Sequence, residues 1–348
     1  MNEDIEIYKG KPTAYLDHNI LDLFVKHELS AFLEELKNQF QIIYSDETLK
    51  EIKRSNEYAN NFLDVLEKFE AAYLKIQLGL GPTFIPTGQA TINILNPFEV
   101  YDEYCRESCS YDDALNVMNQ QQLKFNGGRK GTDLKEIHDE QREAFELMLD
   151  NIMDSLGELE DDLPEIRDIA TQECQRLREQ FDEALTQTEE TIKNEVGDDT
   201  NWSGLKAFRD FTGVGPVQLN NIEPPNVLEK IYAQYKDQEP FTQQTIEEFF
   251  GASKHPIYPD QPYFNFQKVT SVYTYLNALG YYPDSKVHNE RRFIAAQSDT
   301  SHASMAVFAN YLLSRDKNFV MKVRAAYEFL GIDTNVQQVN VTFASESA

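Results

Sequence analysis

Apolar residues fall, over the first 80 positions, into blocks that alternate between strand and helix spacing. Residues 12–18, PTAYLDH, are a short continuous apolar run that reads as a buried strand. NILDLFVKHELSAFLEELKNQF then places Ile20, Leu23, Phe24, Phe32, Leu33 and Leu36 at helical spacing. FQIIYS is a second strand, and DETLKEIKRSNEYANNFLDVLEKFEAAYLKI is predicted helical. Ser45 is placed as the N-cap, Asp46 and Glu47 in the first turn, and Leu49, Ile52, Phe62, Leu66 and Phe69 on the apolar face. The last quarter has the same texture. SDTSHASMAVFA predicts a helix with Asp299 at its start and Ser298 as cap, and NYLLS a strand. NFVMKVRAAYEFLGI is a helix closed by Gly331, and NVQQVNVTF an alternating terminal strand.

The middle reads differently. Between about 79 and 132 the glycines and prolines of GLGPTFIPTG, NPFEVYDEY and FNGGRKGTD mark loops. From Thr132 to Val196, Phe145, Leu149, Ile152, Leu156, Leu159, Leu163 and Ile166 recur in steps of four and three, the seam of a helical hairpin, with Pro164 in the first turn of its second helix. PNVLEKIYAQY, TQQTIEEFF and FQKVTSVYTYLNALGYY add helices, with Tyr273, Leu276 and Leu279 as core. The expected architecture is α/β: a parallel-sheet domain assembled from residues 1–60 and 285–348. A mostly helical insertion, 61–284, includes the acidic hairpin at about 132–196.

Charge sharpens this division. The net charge of −27 argues against a polyanion partner, but its distribution does not. Asp133–Val196 carries 21 Asp and Glu against 6 Lys and Arg, whereas Lys286–Arg324 carries seven basic residues against three acidic ones. One segment repels nucleic acid and another attracts it. The hairpin reads as a solvated surface around an apolar seam, or as an arm for a protein partner. Cys105, Cys109 and Cys174 cannot all pair, and no secretory or membrane-spanning run is visible, so a cytoplasmic, soluble chain is expected. Cys105 and Cys109 would share a helix face, but without further soft ligands nearby they read as ordinary thiols.

Four carboxylates occupy positions where α/β folds carry chemistry. Asp17 and Asp316 each end a short apolar strand, and ligand sites in open parallel sheets lie outside the carboxyl ends of the strands. Glu51 follows the second strand and Asp299 precedes the Asp316 strand. Taken singly, each has a plain reading as a cap, turn or surface charge. Gathered without basic partners, they would hold a hard divalent cation, Mg²⁺ or Mn²⁺.

In this order AYLDHNI, IIYSDETLKEI and SDTSHASMAVFANYLLSRDKNF resemble the PIN-domain nuclease family. Asp17, Glu51, Asp299 and Asp316 match its four acidic positions, and Asn19 and Ser314 match polar positions flanking its metal site. Ala303, Ala306 and Ala309 match the small residues packed before its last site strand. The resemblance covers about residues 11–57 and 290–342 and makes the fold PIN-like. It implies one or two Mg²⁺ or Mn²⁺ ions held by the four acids and hydrolysis of phosphodiester bonds, in single-stranded RNA by analogy; a toxin-like or defence effector role is open, with no antitoxin or activating signal identified in the sequence. Lys53, Arg54, Arg315 and Lys317 would then contact phosphate. Glu47, one turn before Glu51, competes for its role, and His302 is either a packed or capping histidine or a group beside the metal or substrate. The alternatives are a catalytically silent interaction module and a structure-specific DNA nuclease. The latter would use FTGVGPVQLNNI, Phe211–Ile222, as a helix-hairpin-helix turn. NGGRKGT lacks the spacing of a P-loop and reads as a flexible basic loop.

Overall fold

The computed structural model describes residues 10–79, 85–108, 111–158, 164–196, 199–256 and 259–341. Six strands, β1 (Thr13–Leu16), β2 (Gln41–Tyr44), β3 (Ala72–Leu78), β4 (Pro86–Ile94), β5 (Tyr311–Ser314) and β6 (Asn335–Gln338), form one sheet in the order β4-β3-β2-β1-β5-β6. Only β4 runs antiparallel to its neighbour. The central strands are short and apolar because both of their faces are covered. The two ends of the chain meet at the middle of the sheet, where Tyr15 lies beside Leu312 and Leu16 beside Leu313. The Asn310 side chain fastens this junction by accepting from the Thr13 amide at 2.8 Å.

Side-chain alternation along β1 divides the core in two. Ala14 and Leu16 point, with Ile42, Tyr44 and Leu313, toward the helices His18–Lys26, Asp46–Arg54 and Ala59–Lys68. Tyr15 points with Ile43, Leu74 and Leu312 to the opposite face, covered by Leu228 and Ile231, Val269, Tyr273 and Leu276, and Phe319 and Val323. Leu276, on the helix Asn265–Leu279, is fully buried against that face. Leu276→Ala is expected to lower the unfolding free energy by about 2–5 kcal/mol in urea denaturation.

The expected boundary at residue 60 does not coincide with the edge of the sheet. Residues 72–94 supply two of the six strands, and helices between 227 and 279 cover one face. AAYLKI, read as a helix tail, is strand because the chain reverses at Glu70, where φ is +50° with no glycine or proline to announce it. The acidic hairpin is present as Leu134–Glu158 and Pro164–Val196, its seam including Leu149, buried, and Phe145 packed at a tilt against Phe181 with ring centroids 4.2 Å apart. Leu156, Leu159, Leu163 and Ile166 lie outside the described side chains. Arg178 reaches from the second helix to Glu146 at 2.6 Å and Asp150 at 3.0 Å, so part of the acidic charge is neutralised across the hairpin.

Two expected loops are more ordered than their sequences suggest. Arg129 of NGGRKGT grips Glu140 through both guanidinium nitrogens at 2.8 and 2.9 Å, and Lys124 donates to the Arg129 carbonyl at 3.0 Å. In FTGVGPVQLNNI the Gly215 amide donates to the Gln218 side chain at 3.2 Å, which in turn donates to the Gly213 carbonyl at 3.2 Å. The Gly215 amide a phosphate would need is therefore already engaged. Neither Cys105 nor Cys174 is in a disulfide, and Cys109 lies outside the described residues. Among the described residues no helix is long and apolar enough to cross a membrane.

Candidate metal centre

Asp17 leaves β1 and becomes the residue before the helix His18–Lys26. Its amide donates to the Leu313 carbonyl of β5 at 3.0 Å, so its position is set by the β1–β5 pairing. The carboxylate is buried, and its Oδ2 accepts from Ser314 Oγ and from Asn19 Nδ2, each at 2.5 Å. Asn19 Oδ1 accepts from the Arg315 amide at 3.0 Å, and Ser314 Oγ accepts from the Asp316 amide at 3.0 Å. Asn19 and Ser314 thus tie the ends of two adjacent strands together. Asp316, exposed, uses Oδ1 to cap the helix Lys317–Leu330, accepting from Asn318 and Phe319 amides at 2.7 and 3.0 Å. The cap reading and the site reading of Asp316 are compatible, because Oδ2 takes no part in the cap.

Asp299 corrects one expectation. It does not begin its helix: that helix runs Glu290–Met305, with Asn289 as the cap accepting from the Arg292 amide at 3.3 Å, and Asp299 lies in its interior. Ser298 is buried and takes a hydrogen bond from the Arg54 guanidinium instead of capping. Asp299 is half-buried on this helix. Burial, and then the charges of Asp17 and Asp284, push its pKa well above the usual carboxylate range. Burial likewise pushes Asp17 up to about 6, opposed by His302 and the Ser314 hydrogen bond and reinforced by Glu51 and Asp316. Buried carboxylates in mutual repulsion favour a proton or a cation.

Glu51 is in a different situation. Its Oε2 lies 2.9 Å from His302 Nε2 and 3.4 Å from His18 Nδ1, and its Oε1 lies 3.4 Å from the Arg54 guanidinium. Burial would raise its pKa, but His302, His18 and Arg54 together hold it down to about 2. These partners meet Glu51, not Glu47. His302 is itself fully buried and its Nδ1 lies 2.8 Å from the Tyr15 hydroxyl, which lies 2.8 Å from Ser45 Oγ. Burial opposes the imidazolium, yet Tyr15, Glu51 and Asp17 raise its pKa well above the ordinary histidine value. His302 is therefore neither a helix cap nor substrate-facing; it is a buried link between β1 and Glu51.

Among the basic candidates, Arg54 is spent on Glu51 and Ser298, and Lys53 lies 5.8 Å from the centroid of the Tyr104 ring. Arg315 and Lys317 are exposed beside Asp316, with the Lys317 ammonium 5.6 Å from the centre of the Tyr282 ring. Residues not singled out in the sequence also stand here. Lys322, wholly buried, pairs with Asp284 at 2.6 Å and lies 4.4 Å from the centre of the Tyr273 ring. Asp284 sits in a proline-containing loop and its partner is 38 residues away, so no local pattern marks either.

An oxygen-only donor set fits Mg²⁺ or Mn²⁺ in kind. Asp17, Asp299 and Asp316 would hold the ion, although among the described residues no three His, Cys, Asp or Glu side chains already stand as a ready-made ligand group. No protein-family model, curated protein or solved structure matches the chain.

Proposed function

We propose that the chain is a divalent-metal-dependent endoribonuclease of PIN-like architecture, acting on single-stranded RNA. The observation that carries this reading is the convergence of Asp17 and Asp316 at the carboxyl ends of two adjacent parallel strands, with Asp299 brought toward them from a neighbouring helix. When bound, a divalent ion supplies charge stabilisation to a phosphodiester and lowers the pKa of water for in-line attack. Ser314 and Asn19 hold the Asp17 carboxylate in one orientation, which favours its ionised form. Asp316, its Oδ1 engaged in the helix cap, would offer Oδ2 to the ion. Arg315 and Lys317 offer positive charge at the mouth, where the backbone of the substrate passes, and this local charge offsets the acidic remainder of the chain.

The test is cleavage of end-labelled single-stranded RNA with Mn²⁺. Internal cleavage is expected from the wild type. Asp316→Asn should lower the rate at least about 100-fold with an unchanged circular dichroism spectrum, since Asn caps a helix as well as Asp does. Intact RNA across several divalent metals would overturn the proposal, and cleavage confined to branched DNA would replace RNA by DNA as the substrate. A second reading, a silent interaction module, is favoured by the withdrawal of Glu51 into ion pairs. Its partner would bind the acidic hairpin, and it expects no cleavage at all.

A further inference from the structure

We propose that Asp284 is a ligand of the metal centre and takes the place expected for Glu51; this rests on the reading of the site as a divalent-metal centre. Glu51 has little left to offer a cation. His302 Nε2 meets its Oε2 at 2.9 Å, His18 Nδ1 approaches the same oxygen at 3.4 Å without a hydrogen bond, and the Arg54 guanidinium meets its Oε1 at 3.4 Å. Asp284 is half satisfied by comparison. Its Oδ1 receives the Lys322 ammonium at 2.6 Å, while its Oδ2 is buried with no hydrogen-bond partner. Lys322 does not serve both oxygens, because it also leans toward Asn277 Oδ1 at 3.4 Å.

A second group points to the same place. Tyr273 is fully buried, and its hydroxyl also has no partner. The Lys322 ammonium lies over the ring of Tyr273 while holding Asp284, so that ring and Asp284 flank the same ammonium. The Tyr273 ring also lies 6.0 Å from that of Phe319, whose amide donates to Asp316, so Tyr273 stands beside the start of the helix that Asp316 caps. The loop is fixed rather than loose. The Asp284 amide donates to Asn277 Oδ1 at 2.7 Å, and Asn318, two residues past Asp316, donates to the Pro283 carbonyl at 3.4 Å. Buried oxygens without partners are rare, and a cation bound at Asp284 Oδ2 would give it its missing neighbour.

Mn²⁺ titration of the full chain without RNA, read by the electron paramagnetic resonance of free Mn²⁺, tests the assignment. Asp284→Asn is expected to weaken Mn²⁺ binding at least about tenfold and Glu51→Gln less than about threefold. Asp284→Asn leaves the Lys322 ammonium unpaired. The double variant Asp284→Asn/Lys322→Met therefore removes the pair as a unit and should show the same loss with a native circular dichroism spectrum. A tenfold loss in Glu51→Gln, alone or together with Asp284→Asn, overturns the replacement. An unchanged affinity in Asp284→Asn leaves Asp284 only as the partner of Lys322 and also overturns it. No Mn²⁺ binding by the wild type would instead remove the metal reading as a whole, and this assignment with it.

Discussion

Asp17→Asn is expected to abolish RNA cleavage and at the same time to raise the melting temperature of the metal-free protein. The substitution keeps the shape of the side chain and an oxygen that accepts from Ser314 and Asn19, so the strand ends stay joined. It removes the charge that burial penalises. The folded-state pKa of Asp17, about 6, lies above its ordinary value of 3.8. The folded protein therefore holds a proton that the unfolded chain releases, and the stabilisation this gives is fully present below pH 3.8 and lost as pH rises through about 6. A shift of roughly two units corresponds to at most about 3 kcal/mol, and coupling to neighbouring acids reduces what Asp17 alone contributes. The variant should thus be more stable than wild type by about 1–3 kcal/mol at pH 8 with a chelator, and close to it at pH 3.5. Mn²⁺ should reverse the order at pH 8, because only the wild type binds it tightly. Cleavage by the wild type should rise with pH as the metal displaces the Asp17 proton, and Asp17→Asn should lower it by at least about 100-fold. Chelated melts at the two pH values and a rate profile check both halves.

His302→Ala should be among the most destabilising changes at a polar position. The ring is fully buried between Tyr15 and Glu51. Removing it leaves a carboxylate that is only 17% exposed with His18 and Arg54 as its remaining partners, and deprives the Tyr15 hydroxyl of one of its own. Breaking a buried pair from one side costs about 3–5 kcal/mol, and the surviving Arg54 contact favours the lower end. The sign over pH is set by both partners. Glu51, held down to about 2, contributes fully above its ordinary 4.5 and loses this as pH falls toward 2. His302, held up, contributes fully below 6.5 and loses this as pH rises through its higher folded value. The wild-type advantage should therefore peak between about pH 4.5 and 6.5. Urea denaturation across that range measures it, and His302→Ala/Glu51→Gln should lose less than the sum of the single variants.

What the sequence discloses here follows from how local each signal is. Asp17 and Asp316 are legible because a four-residue apolar strand ending in an acid needs no distant partner to be recognised. Asp299 is legible as an acid but not as a mid-helix residue. The true cap, Asn289, precedes Glu290 and two arginines, which mask the apolar periodicity that would have dated the helix start. The turn at Glu70 uses a positive φ in a residue that seldom adopts one, so the strand after it was hidden in an apparent helix. Asp284, Lys322 and Tyr273 meet only in three dimensions, from a loop and two helices. The same holds for His302 and Glu51, whose role is fixed by a contact across 251 residues.

The pairing of β1 with β5 has a consequence for how the chain is made. At roughly 5–20 residues per second, the ribosome takes about 15–60 s to pass from Asp17 to Asp316. Throughout that interval β1 has β2 beside it and a bare edge on its other side, and the Asp17 amide lacks the Leu313 carbonyl that later receives it. The nascent protein is thus without its acidic cluster while its own messenger RNA is still being read. A contact of such high sequence separation also makes its formation late and slow relative to the local hairpins. Chains ending before residue 311 should fold their helical middle incompletely, because Tyr273 and Leu276 pack on a face that includes Leu312 and Phe319.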